Sequence, residues 1–300
     1  MRHSTVEKQN INGVDLFFSV NKNQDSKKPI LLYLHGGPGD SCIPLTQKFN
    51  SELEKRFNFI NLEQRGAGLS YYKFENQKKL LIDDIVTDIY LFIKYILERF
   101  NQKKIILIGH SWGSVLAIKL IQKYPELFTK YIGIGQVVNM KKNIGLQQSF
   151  LNAKGVKEIE LDYTNVDSLI KDSLYITKSI VKHGGSLFNE TNYSKLIIPF
   201  ILSKSYSIKD LLFRVKGSNQ SIQCFWKELM EINFESIYSY PIPMYFFEGR
   251  HDYHVSSKLV EEYLTKVKSS TSLIWFEKSG HFPQWEESNK FNRLVIDLCE

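Results

Sequence analysis

The pentapeptide GHSWG at 109–113, set directly behind the apolar run KKIILI, constrains this chain more than any other stretch. A buried-strand pattern breaks into Gly-x-Ser-x-Gly and resumes as VLAIKLIQKY, whose apolar residues recur at helical spacing. A strand, sharp turn and helix of this kind thrust the central serine outward, which makes Ser111 the candidate nucleophile. Gly109 and Gly113 lack the Cβ atoms that would crowd the turn and the helix crossing behind it. A bare Gly-x-Ser-x-Gly recurs by chance; the strand before it and the helix after it make it informative.

Around this point, short apolar runs alternate with helical segments, the pattern of an α/β fold with a mostly parallel central sheet flanked by helices. VDLFFSV (14–20), PILLYLHGGPG (29–39), FNFINLEQRGAG (57–68) and YIGIGQVV (131–138) read as strands, two of them running into glycine loops. Ile85, Ile89, Phe92, Ile93 and Ile96 recur at spacings of three and four, which predicts an amphipathic helix over 83–100. The helix behind Ser111 is expected to stop near Tyr124-Pro125, where proline cannot continue it. From 139 to 235 the rhythm changes to helix-compatible sequence without clear buried strands. That predicts a helical cap inserted between two core segments, 1–138 and 236–300. The second segment carries PIPMYFFEG (241–249), SLIWFEKSG (272–280) and a closing helix. A lid over the carboxyl ends of parallel strands covers the place where such sheets bind ligands.

With 43% apolar and 24% charged residues, the chain has the balance of a soluble globular enzyme. A net charge of +7 raises the question of nucleic acid, yet the lysines are scattered in pairs such as Lys27-Lys28 and Lys78-Lys79. No basic helix or aromatic-interleaved patch stands out, so no nucleic-acid partner is expected. The longest apolar stretches, such as LIIPFIL at 196–202, are too short to span a bilayer, and MRHSTVEKQNING has no signal-like apolar core. No membrane partner and a cytoplasmic location are therefore expected. Cys42, Cys224 and Cys299 are odd in number and far apart, which argues for a reducing compartment and against a disulfide framework.

A serine hydroxyl needs a base to take its proton and a group to orient that base. Of seven histidines, His281 is the best candidate, in a loop after the last predicted strand. Asp252, immediately after the strand IPMYFFEG, is the candidate carboxylate. His251 and His254 flank it at a spacing that metals use, but no set of Glu or Cys ligands accompanies them, and no metal is expected. His35 and His110 read as packing or hydrogen-bonding residues. A developing oxyanion needs preorganised N–H donors. Trp112, the residue after the nucleophile, supplies one, and Gly37 of HGGPG the other, with Gly36 as the fallback.

HGGPG at 35–39, EQRGAGLS at 63–70, GHSWGS at 109–114, GRHD at 249–252 and SGH at 279–281 occur in order along the whole core. With these motifs the chain resembles the proline iminopeptidase family of α/β-hydrolases. The resemblance implies a cofactor-free serine aminopeptidase that takes short peptides or small amides, with a triad matched by Ser111, Asp252 and His281. It also implies a helical cap. The chain departs from the family in having Glu63 where Asp is usual before QRG, and His110 where the serine motif more often has Gly. It also lacks the Trp-Glu-Gly setting in which the family holds the substrate's free amine. The nearest equivalent, FWKELMEINFE, offers Glu228, Glu231 and Glu235 as substrate-binding candidates. A related esterase or amidase, or a non-catalytic binding protein on the same fold, are the alternatives.

Overall fold

In the computed structural model, which describes residues 4–75 and 80–299, the chain begins with a hairpin. The lysine pair at 78 and 79, and the outermost ends of the two expected core segments, lie outside the described residues. Strand β1 (Ser4–Ile11) turns through Asn12 and Gly13, at φ 51° and 78°, into β2 (Val14–Asn21). Two positive-φ residues are what a two-residue turn between right-twisted strands requires. The apolar-run reading passes over β1 because STVEKQNI is largely polar on a sheet edge; Asn-Gly at the turn is the signal that reveals it.

Then come β3 (Ile30–Leu34), α1 (Ile43–Phe49), β4 (Asn58–Leu62), α2 (Ile82–Arg99), β5 (Ile105–His110), α3 (Trp112–Lys123) and β6 (Phe128–Ile134). Four helices follow without an intervening strand: α4 (Met140–Asn152), α5 (Val166–Lys182), α6 (Ser194–Ile201) and α7 (Ile208–Met230). The chain returns to the sheet with β7 (Met244–Gly249), α8 (Ser257–Leu264), β8 (Thr271–Phe276), α9 (Pro283–Glu286) and α10 (Ser288–Cys299). The eight strands form one sheet in the order β1-β2-β4-β3-β5-β6-β7-β8, antiparallel at the β1–β2 and β2–β4 pairs and parallel from β4 to β8. The expected fold class is therefore observed.

Helices cover both faces, which explains why the central strands read as unbroken apolar runs rather than alternating ones. Ile30, Leu32 and Leu34 of β3 join one apolar cluster with residues of α2, α3 and α8. Leu31 and Tyr33 point the other way, into a second cluster with residues of α1 and α10. Fully burying an Ile or Leu in this way contributes roughly 1.5–3 kcal/mol before chain entropy is counted. The helical stretch is closed at its base: Met140 N–H donates to Ile232 O at 3.0 Å and Phe234 N–H to Val138 O at 2.7 Å. Its entry and exit thus run side by side, joined by an Asn139–Asn233 antiparallel bridge.

Candidate active site

Ser111 stands between β5 and α3 at φ 53° and ψ −118°, a conformation that costs a non-glycine residue on the order of 1–3 kcal/mol and persists only where its surroundings impose it. Here they do. Ser111 N–H donates to Ile134 O at 2.9 Å, and its carbonyl accepts from Ser114 Oγ at 2.6 Å. The helix crosses β3 so closely that a Cβ on Gly113 would fall 2.2 Å from Leu34 O. A Cβ on Gly109 would fall 2.7 Å from Gly113 O, so both glycines are required for the turn.

Asp252 follows β7 and His281 follows β8. His281 Nδ1 lies 2.7 Å from Asp252 Oδ2, and both side chains are almost wholly buried. Because a carboxylate accepts, the ring donates from Nδ1 and leaves Nε2 as the free base. Asp252 Oδ1 accepts from the backbone N–H groups of His254 and Val255 at 2.8 and 2.9 Å. Burial lowers the His281 pKa, which keeps the imidazole neutral. Burial also raises the pKa of Asp252, against the opposing pull of nearby His254 and the two backbone donors. His281 is tied down further by its own N–H, which donates to Ser186 O at 2.7 Å.

Ser111 and His281 line one cavity of about 210 Å³ together with Gly37, His254, Tyr193 and Trp226. No hydrogen bond joins the Ser111 hydroxyl to His281 among the described residues, although the two line the same cavity. A second recess of about 40 Å³ is lined by Ser111, Gly37 and Trp112, with Val137, Met140, Ile144 and Leu229 giving it apolar walls. The serine and the two expected oxyanion donors therefore share one small space. Trp112 opens α3, where a backbone N–H has no intrahelical acceptor.

The glycine loop is braced by its own histidine. His35 Nε2 accepts from Gln64 N–H at 3.1 Å, so its Nδ1 carries the proton and donates to Gly36 O at 2.7 Å. Gln64 also accepts from the Trp112 indole at 2.7 Å, linking the loop to the elbow. Gly37 has φ 137°, and a Cβ there would lie 2.7 Å from Gly39 N. The two core departures noted in the sequence have physical counterparts. The longer Glu63 carboxylate reaches both Leu69 N–H, at 2.5 Å, and the Tyr206 hydroxyl. His110 donates from Nε2 to the His281 carbonyl at 3.0 Å, fastening the end of β5 to the loop that carries the base.

The expected amine anchors are elsewhere. Glu228 accepts from Ile82 N–H at 2.8 Å, capping α2, and Glu231 pairs with Lys141 at 2.7 Å. Glu235 holds Asn139 and Lys142, each at 2.7 Å. None of the three lines either cavity. On α7, Phe225, Trp226 and Leu229 take the buried side and Glu228 faces α2, while Glu231 closes the helix and Glu235 follows it. Among the described residues, Asp40 is the carboxylate lining the larger cavity, and it pairs with Arg214 at 2.6 Å. Of the aromatic residues in the insertion, Tyr193 and Trp226 line the larger cavity, whereas Phe150 stacks on Tyr253 and Phe213 on Tyr71.

Sequence reasoning missed the role of His254. Its ring stacks parallel to His281, 4.6 Å between centroids and 11° between planes, and lines both cavities. Its Nδ1 lies 3.2 Å from Ser186 Oγ and 3.4 Å from the Tyr193 hydroxyl. Its place two residues after Asp252 was a usable signal. Nothing in the sequence pointed to Ser186 or Tyr193, because their place depends on how the insertion folds back.

Comparison with known proteins agrees with this architecture. A family model described as the alpha/beta hydrolase fold matches residues 29–159. YbaC of Bacillus subtilis, named a probable aminopeptidase, is 29% identical over 297 residues, covering 94% of this chain and 89% of that protein. A proline iminopeptidase of Saccharolobus solfataricus is 22% identical over 309 residues, covering 96% of this chain and 90% of that protein. The crystal structure of a proline iminopeptidase-related protein from Thermus thermophilus superposes with a TM-score of 0.66 at 16% identity, over 99% of this chain and 97% of that one. The resemblance read from the motifs thus extends over nearly the full length.

Proposed function

We propose that this chain, which has the α/β-hydrolase fold, is a serine aminopeptidase of the proline iminopeptidase type, working through an acyl-enzyme. The observation that carries the reading is the buried Asp252–His281 pair sharing a cavity with a serine held at positive φ. In this reading His281 Nε2 takes the Ser111 proton as Oγ attacks the scissile carbonyl. The N–H groups of Gly37 and Trp112 receive the oxyanion, each such donor being worth about 3 kcal/mol in the transition state. The C–N bond breaks as His281 returns its proton to the leaving amine. Water, deprotonated by the same imidazole, then releases the acid and restores Ser111. The small apolar recess beside Ser111 favours a compact acyl residue. The names of the full-length relatives support a peptidase.

A second reading, an esterase or amidase for an uncharged small acyl group, is favoured by one observation: the cap glutamates are engaged away from the cavity. Turnover of proline p-nitroanilide beside p-nitrophenyl acetate separates the two. Cleavage of both supports the aminopeptidase; cleavage of the ester alone overturns it. A fluorophosphonate probe that leaves folded protein unlabelled at Ser111 would point instead to a binding protein.

A further inference from the structure

The apolar run LIIPFIL, too short to cross a bilayer, is unusual in where it is placed. It forms most of α6, and Ile197, Ile198, Ile201 and Leu202 are all exposed, the last at 73%. Three residues from the start of α7, Ile208, Leu212 and Val215, continue the exposure at i, i+4 and i+7, with Ile208 at 81%. Among the described residues these seven are the majority of the twelve large apolar side chains left exposed. The two helices form one hairpin, since the Arg214 guanidinium of α7 lies 4.2 Å from the Phe200 ring of α6. A concentration of exposed aliphatic surface marks a site of interaction.

The charge beside that surface identifies the partner. Lys204, Lys209 and Lys216 are exposed within the same hairpin, where Asp210 is occupied by capping α7 with Ser207. A two-fold pairing of this face with a second copy would set those lysines against each other. A protein partner is also a poor match, because protein interfaces favour aromatic residues and deplete lysine. Branched aliphatic residues beside lysines, whose stems can lie along apolar surface while the ammonium reaches out, suit a layer with an apolar interior and an anionic rim.

The geometry points to the α6–α7 hairpin as a docking surface for anionic membranes, its aliphatic face entering the headgroup boundary and its lysines meeting lipid phosphates. Expecting no membrane partner rested on the lack of a spanning segment, and among the described residues no helix is long and apolar enough to cross a membrane. Lying in the interface needs only a short amphipathic element. Farther along the same face of α7, Ser218, Ile222 and Trp226 line the larger cavity, so the docking surface runs on along the helix toward the substrate space.

Sedimentation of the whole chain with vesicles tests this directly. Wild type co-sediments with vesicles of phosphatidylglycerol in phosphatidylcholine, far less with pure phosphatidylcholine, and dissociates as salt is raised. The double variant Leu202→Ser with Ile208→Ser loses binding, and Lys204→Glu with Lys209→Glu weakens it by at least about tenfold, while the thermal midpoints of both stay at the wild-type value. Wild type that ignores phosphatidylglycerol vesicles, or binds both lipids equally, overturns the proposal. So does a dimer in analytical ultracentrifugation that the Leu202→Ser and Ile208→Ser changes dissolve, since the face would then pair copies of this chain.

Discussion

On the sheet side of the cleft, Ser111 is held by a backbone bond to Ile134 and by the Ser114 hydroxyl, and its glycine neighbours leave no room for a Cβ. On the cap side, Leu174, Ile222 and Trp226 meet the same cavity as side chains on α5 and α7, and the carboxylates of α7 are spent on capping and surface pairs. On the sheet side the backbone at Ser111 tolerates almost no change, because it is placed by a strand end and a close helix crossing. The cap can change one side chain at a time without moving the nucleophile. In the proposed function, reaction type belongs to the first region and choice of substrate to the second.

The widest separation between the regions is expected at Ser111. Ser111→Ala should lower kcat by on the order of 10⁶ on whichever ester or amide proves to be turned over, and a loss of only a few fold would remove the sheet side from the chemistry. Asp252→Asn should cost about 10⁴ in kcat, because the amide would hold His281 in the wrong tautomer. Steady-state kinetics that leave this variant near wild type would break the orienting role. Gly37→Ala should reduce kcat by about 10²–10³, since its Cβ would press on Gly39 N and shift the oxyanion loop. An unchanged kcat would move the second donor to Gly36.

The pH profile sharpens the same contrast. The proposed mechanism needs His281 neutral, and burial lowers its pKa, so the acidic limb of kcat/KM should fall below pH 6.5, the ordinary imidazole value. A limb at or above 6.5 would mean that the Asp252 charge outweighs burial. The smallest effect belongs to the cap. Glu228→Ala should leave KM for an aminoacyl substrate within about twofold and cost about 1 kcal/mol of stability in urea unfolding, the value of a lost helix cap. A tenfold rise in KM with unchanged stability would restore Glu228 as the amine anchor.

Most strands of the core were legible because fully buried parallel strands leave unbroken apolar runs, and α2 because its stripe keeps a period near 3.6. The β1 edge strand left no such trace. Ser111, Asp252 and His281 were legible because each follows a readable strand, so the topology that brings those strand ends to one rim brings the residues with them. The cap residues are different. Which face of α7 looks inward is settled by Trp226, Phe225 and Leu229 packing together, and that packing turns Glu228 outward to α2.

What the amino-acid order determined by itself was the strand, turn and helix around Ser111 and the chain positions of its two partners, since these rest on local periodicity and on glycines that only a close crossing requires. What the tertiary structure decided was the pairing of His254 with His281, the bracing of HGGPG by His35 and Gln64, and the exposure of the α6–α7 hairpin. Those depend on contacts between segments far apart in the chain, whose relative placement no local pattern encodes.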